Sequence, residues 1–173
     1  MSPLSPSLLS RILDGYALPR NGVHGVSHWA RVLENGRKLA ALMPGADLDI
    51  VELFAVFHDA RRVNEAWDHG HGRRGSELAA DLRGVYFDVD DARFAQLRFA
   101  CDQHTSGMTR ADPSVQVCWD ADRLDLLRVG TRPVASLLCT EAARVPEIMQ
   151  WANHRAVRFH VPGLVRDEWG MEL

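Results

Sequence analysis

Ten residues, Val51-Glu52-Leu53-Phe54-Ala55-Val56-Phe57-His58-Asp59-Ala60, constrain this chain more than any other stretch. Ile50, Leu53, Phe54 and Phe57 recur at the i, i+3, i+4, i+7 spacing of a helix, and Val51, Ala55 and Val56 fill most of the other faces. The spacing therefore predicts a helix buried nearly all round. His58 and Asp59 arrive with it deep in the protein, where such groups are excluded unless paired. A bound cation resolves the conflict. Adjacent helical residues point about 100° apart, so both reach one ion only if it lies in the angle between them, and other helices must supply the remaining ligands.

The length of 173 residues suits one domain with a sizeable core, and an apolar share of 46% with 25% charged residues is ordinary for a globular protein. A net charge of -3 gives no reason to expect a nucleic-acid or membrane partner. Every basic residue but Lys38 is arginine, a bias that genomic base composition explains more readily than an anionic substrate does. Cys101, Cys118 and Cys139 are odd in number and widely spaced, which argues against a disulfide framework and a zinc knuckle. The start, Met1-Ser2-Pro3-Leu4-Ser5-Pro6, lacks a basic leader, and no run approaches the roughly 18 apolar residues of a membrane span. A cytoplasmic protein is expected.

In chain order, residues 4–14 read as a short capping helix before Asp14-Gly15 and Pro19. A second helix follows His24-Gly25, with Trp29, Val32, Leu33, Gly36, Leu39 and Ala40 on one side and His28 on its edge. It should stop near Met43-Pro44-Gly45, and Asp47 or Asp49 should cap the central helix. Residues 61–75 read as a polar loop and 76–83 as a helix ending at Gly84. Asp90 or Asp91 should open a helix bearing Phe94, Leu97 and Cys101, with His104 at its far end. Asp112-Pro113 is a strong start signal for a helix reaching about Val129. A last helix near 133–144 and a mixed tail with Trp151, Phe159 and Trp169 complete the chain. With no alternating strand and no repeat, the expected fold is all-α and single-domain: a capping helix over 1–20, a metal-binding helical unit over 21–145 and a tail over 146–173 packed on it.

The helix from Asp112 carries three acids. Asp122 lies on the stripe of Val115, Cys118, Trp119, Leu126 and Val129 and points inward, Asp120 lies on a second apolar side and is the reserve, and Asp125 looks solvent-facing. His28, His58-Asp59 and Asp122 then form an ordered set on three helices. This set resembles the HD superfamily of metal-dependent phosphohydrolases, whose defining ligands occupy those four positions. Ala121-Asp122-Arg123-Leu124 with Arg128 is similar to the final motif of the alarmone hydrolases within it. The resemblance spans roughly residues 24–130 and implies an HD-type helical bundle. It departs from the alarmone enzymes after the His-Asp pair, where Arg61 and Arg62 replace an acidic pair, and it lacks the Gly-Tyr-Pro signature of the cyclic-dinucleotide phosphodiesterases.

Two imidazoles and two carboxylates suit Mn, Fe, Co, Ni, Mg or Zn as the divalent ion and leave positions open for water and phosphate. The resemblance implies one or two ions: two-metal relatives use the position of Asp59 as a bridge, and His71, within Asp68-His69-Gly70-His71-Gly72, and His104 stand where further ligands are expected. Otherwise His71 and His104 would bind phosphate or act as a general acid. Glu65 and Asp68, with Asp59, are the acids placed for catalysis; Arg61, Arg62, Arg73 and Arg74 are candidates to clamp phosphate. His24 is expected to flank the pocket mouth, with His69, His154 and His160 at the surface or in packing roles. The expected function is a metal-dependent phosphohydrolase acting on a nucleotide or another small phosphate ester, with a metal-activated water as nucleophile. The alternatives are a non-catalytic metal- or ligand-binding module and a di-iron oxygenase. The aromatic tail leaves open a homodimer.

Overall fold

The computed structural model describes residues 2–173. The chain folds as one all-α domain; among the described residues the only β feature is an isolated bridge between Arg83 and Phe87. Helix α1 spans Pro6–Leu13, α2 Val26–Ala40, α3 Leu48–Phe57, α4 His71–Leu82, α5 Asp91–Gln103 and α6 Pro113–Arg123. Shorter elements follow: α7 Glu141–Arg144, α8 Pro146–Val157 and α9 Leu164–Asp167.

Helix α3 is the axis. Ile50 to Phe57 are buried without exception, and α2, α5 and α6 pack along it, with smaller direct contacts from α4 and α1. Each fully buried Leu, Ile or Phe of this kind contributes about 1.5–3 kcal/mol, so the helix is held by packing on all sides. Its start is fixed by Asp47, whose side chain accepts from the N–H groups of Asp49 and Ile50 at 3.0 and 3.3 Å. Arg93 on α5 grips the same carboxylate at 2.6 and 2.8 Å, tying α5 to the cap of α3. Ser5, Asp90 and Asp112 cap α1, α5 and α6 in the same way.

Three expected boundaries move. Helix α4 begins at His71 and not at Ser76, because Gly72 and Gly75 are points of close approach: a Cβ on Gly72 would lie 2.2 Å from the Cys101 carbonyl oxygen, and one on Gly75 2.2 Å from that of Phe57. Those glycines bring the first turn of α4 against the ends of α5 and α3. Helix α6 stops at Arg123, and a 3-10 turn, Leu126–Val129, takes over where a continuous helix was expected. Residues 133–144 form a 3-10 turn at Ala135–Leu137 and the single turn α7, while the segment expected to be a mixed tail holds the twelve-residue α8, opened by Pro146. Trp169 is buried and Trp151 partly so, packed between the cationic groups of Lys38 and Arg155.

Candidate metal centre

Four imidazoles and two carboxylates meet at the C-terminal end of α3. His28 comes from the first turn of α2, His58 and Asp59 directly follow α3, His71 opens α4, His104 closes α5 and Asp122 lies in the last turn of α6. Asp59 stands in the middle. Its Oδ2 is 3.5 Å from His28 Nε2 and 3.7 Å from His58 Nε2; its Oδ1 is 3.2 Å from His71 Nε2 and 3.7 Å from His104 Nε2. Asp122 Oδ1 completes the first group, 3.4 Å from His28 Nε2 and 3.8 Å from His58 Nε2. The His28 and His58 Nε2 atoms are 3.1 Å apart, and those of His71 and His104 2.9 Å.

The other ring nitrogens decide the chemistry. His58 Nδ1 donates to the carbonyls of Phe54 and Ala55, His71 Nδ1 to that of Asp68 and His104 Nδ1 to that of Cys101. His28 Nδ1 donates to Asp125 Oδ2 at 2.7 Å. Carbonyl and carboxylate oxygens only accept, so in the neutral rings each Nδ1 carries the proton and each Nε2 turns a lone pair toward the centre. Lone pairs facing one another about 3 Å apart repel unless a cation lies between them. The spacings within the first group suit ligands that each lie about 2.1 Å from one ion. Asp122 Oδ1 in this first group is buried without a hydrogen bond, the mark of a carboxylate whose partner is not another protein group. The donor set therefore fits a divalent ion.

Electrostatics agree with the geometry. Burial alone would raise Asp59, but the four surrounding imidazoles more than reverse it and hold the carboxyl well below its usual range. Asp122 is likewise raised by burial, then brought down to about 2 by His58, Arg128, His28 and His104. Burial pushes His58 down to about 3, so its imidazole is neutral and free to ligate at neutral pH.

Of the three acids expected on one helix, Asp122 faces the centre and Asp120 does not. Asp120 accepts from the Cys139 and Thr140 N–H groups and the Thr140 hydroxyl, holding the chain before α7. Asp125, expected to face solvent, is 1% exposed. The tightened turn explains the error. In an α-helix, residues three apart are about 60° out of line, whereas 3-10 geometry eclipses them; the Asp125 N–H bonds the Asp122 carbonyl at 2.9 Å, an i to i+3 step that swings Asp125 under Asp122. There it orients His28, and Arg31 holds it in turn at 2.7 and 3.0 Å while also donating to the His160 carbonyl at 2.9 Å.

The loop from Arg61 to Gly70 covers one side and is not free chain. Asp68 is buried, with both oxygens on Arg74 Nη2 at 2.6 Å and Oδ2 also on the Val63 N–H, which commits it to holding the loop. Arg61 turns away to the carbonyls of Ile12 and Ala60, and Arg73 pairs with Glu77 at the surface. Of the four arginines only Arg62 reaches the cluster, its Nη1 3.2 Å from His71 Nε2 and 3.5 Å from Asp59 Oδ1. A pocket of about 550 Å³ opens over this side, lined by His24, Arg62, Glu65, Trp67, His71 and Arg73 among others. Glu65 pairs there with His24 Nδ1, and burial lowers the pKa of His24 against the pull of Asp59 and Glu65. Trp67 is 85% exposed at the rim, its ring stacked on His69. Arg128, named in the sequence only as part of the motif around Asp122, lies beside the site: its Nη1 is 3.8 Å from Asp122 Oδ1 while its Nε donates to the Val23 carbonyl.

No family model matches the chain, and no curated protein matches it. Among solved structures it is similar to a protein from an uncultured Thermotogales bacterium described as a predicted HD superfamily hydrolase, with 26% identity and a TM-score of 0.63 over 89% of this chain and 86% of that one. The resemblance drawn from His28, His58-Asp59 and Asp122 is thus met by the fold: this is the helical architecture of the HD superfamily, with His and Asp groups compatible with its metal site. Among the described residues no helix is long and apolar enough to cross a membrane.

Proposed function

We propose that the protein is a metal-dependent phosphohydrolase acting on a nucleotide or another small phosphate ester, with His28, His58, Asp59 and Asp122 as the ion's ligands. One observation carries the reading: in a buried site the Nε2 atoms of His28 and His58 lie 3.1 Å apart and each lies 3.4–3.8 Å from Asp59 Oδ2 and from Asp122 Oδ1, with both His Nδ1 atoms already tied off. A divalent ion held there supplies a lowered pKa for a water molecule and neutralises charge on a phosphoryl oxygen.

The chain's own residues do the rest. Arg62 directs a permanent positive charge to the floor of the pocket, where a phosphate oxygen gains most from it. His24, neutral and paired through Nδ1 with Glu65 at the pocket wall, is placed to accept a proton on its other ring nitrogen as a general base. Asp68 keeps the loop closed through Arg74 and is a positioning residue, while Arg61 and Arg74 serve the scaffold. The volume suits a nucleotide-sized ligand, and Trp67 offers a flat face to a base.

The test is a panel of phosphomonoesters, nucleotides and diphosphates incubated with Mn²⁺-loaded protein, with Asp59→Ala in parallel. Metal-dependent release of phosphate or pyrophosphate, lost in the variant, is the expected outcome. Fully metal-loaded protein that releases nothing across the panel would leave a binding module and sink the hydrolase reading.

A further inference from the structure

The two halves of the cluster differ in one respect. Around His28, His58, Asp59 Oδ2 and Asp122, no guanidinium comes within hydrogen-bond distance of a donor atom: Arg31 is spent on Asp125 and the His160 carbonyl, and Arg128 on the carbonyls of Val23 and Asp125. Around His71, His104 and Asp59 Oδ1, a cation is already in place. Arg62 Nη1 donates to His71 Nε2 at 3.2 Å and lies 3.5 Å from Asp59 Oδ1.

We infer that Arg62 is a built-in replacement for a second metal ion, so that the chain binds one ion tightly, at His28, His58, Asp59 and Asp122, and that removing the guanidinium opens a second site at Asp59, His71 and His104. The inference rests on the metal-centre reading of the first group and adds the stoichiometry. Three observations support it. The lone pair a second ion would need on His71 is occupied by a guanidinium N–H, 3.2 Å away. Arg62 is also buried and pinned, its Nη2 donating to the Ala66 carbonyl at 2.7 Å and its Nε facing that of Asn64, so it cannot simply swing out. Finally, three ligand atoms of the second group lie close enough together to hold an ion once the guanidinium is gone. Charge repulsion across about 4 Å in a buried site weakens a second ion by at least about 100-fold relative to the first.

The experiment counts ions. Full-length wild type, Arg62→Gln, Arg62→Met and the double variant Arg62→Gln/His71→Ala are stripped, reloaded with Mn²⁺ and passed through a desalting column. Bound manganese is measured by mass spectrometry, and spin coupling between paired ions by electron paramagnetic resonance. The expected result is one ion in wild type with an uncoupled signal, two in the folded Arg62 variants with a coupled signal, and one again in the double variant. Two tightly held ions in wild type would overturn the inference while leaving the metal-centre reading intact. A folded Arg62 variant that still holds one ion would also overturn it. Wild type that takes up none would remove the metal-centre reading itself, and the inference with it.

Discussion

Asp125 Oδ2 accepts the Nδ1 proton of His28 at 2.7 Å, beneath the metal centre and out of reach of any ion bound above the ring. This pair fixes which nitrogen of His28 is free to ligate, and Arg31 fixes the carboxylate in turn. Asp125→Asn keeps the shape and removes the charge. Partners of this kind typically cost 10–100-fold in metal affinity when mutated, so the variant should bind Mn²⁺ about 10–100-fold more weakly in a calorimetric titration, with its helical content unchanged. Equal affinity in the two proteins would show that His28 needs no such support.

Stripping the ion should destabilise the fold, because the site brings together groups from α2, α3 and α6 that repel or lack partners without it. At a free concentration of about 100 times Kd, a ligand that binds only the native state adds about 2.7 kcal/mol, or on the order of 5–10 °C in Tm for a chain of this size. A chelator should lower the Tm of wild type by that amount and leave Asp59→Ala unmoved. A chelator shift of the same size in Asp59→Ala would place the stabilising ion elsewhere.

The metal-free protein should lose stability as pH falls from about 6.5 toward 3. His58 is pushed by burial from 6.5 to about 3, so in that window the unfolded chain takes up a proton that the folded chain refuses. Asp122, brought from 3.8 to about 2, extends the loss in the same direction at its acid end. His104 is lowered by burial but raised further by its bond to Asp59; its contribution is complete below 6.5 and is lost only as pH rises through its folded value, so it adds no slope here. Melting curves of chelated protein across this range should show the decline, and His58→Phe should flatten it. An unchanged slope in that variant would assign the decline to other groups.

Trp67 is largely exposed and its ring meets only the exposed His69, so Trp67→Ala should change stability by no more than about 0.5 kcal/mol. Base stacking on an aromatic side chain is worth about 1–3 kcal/mol. The variant should therefore show a KM raised about tenfold or more for substrates that carry a base, with kcat retained, and no change for a base-free phosphate ester. A loss confined to kcat would remove the stacking role.

The clustering of His28, His58, Asp59 and Asp122 was readable because each interrupts or edges an apolar stripe, and a polar residue in such a stripe demands a partner. Asp125 was not readable, since its inward position exists only after the helix tightens into a 3-10 turn, a change that 3.6-residue periodicity cannot register. The start of α4 was hidden for a related reason. Gly70, Gly72 and Gly75 look like loop residues, yet the latter two serve to bring helix backbones into contact. The arginines were too many to sort by sequence: only the fold separates Arg62, aimed into the cluster, from Arg61 next to it, aimed at α1. Helix α8 carried a start signal at Pro146, but its polar and apolar residues are mixed around it and gave no clear face.

Arg31 has one hand on Asp125 and the other on the backbone carbonyl of His160, a residue beyond α8 that offers the ion nothing. The posture of His28 is thus set from outside the motifs that carry the cluster, by a stretch of main chain whose side-chain identity is irrelevant to the bond. Substitutions near His160 should be silent so long as the backbone keeps its path. A break or register shift there would appear as a defect in ion binding at His28, two hydrogen-bonded side chains away.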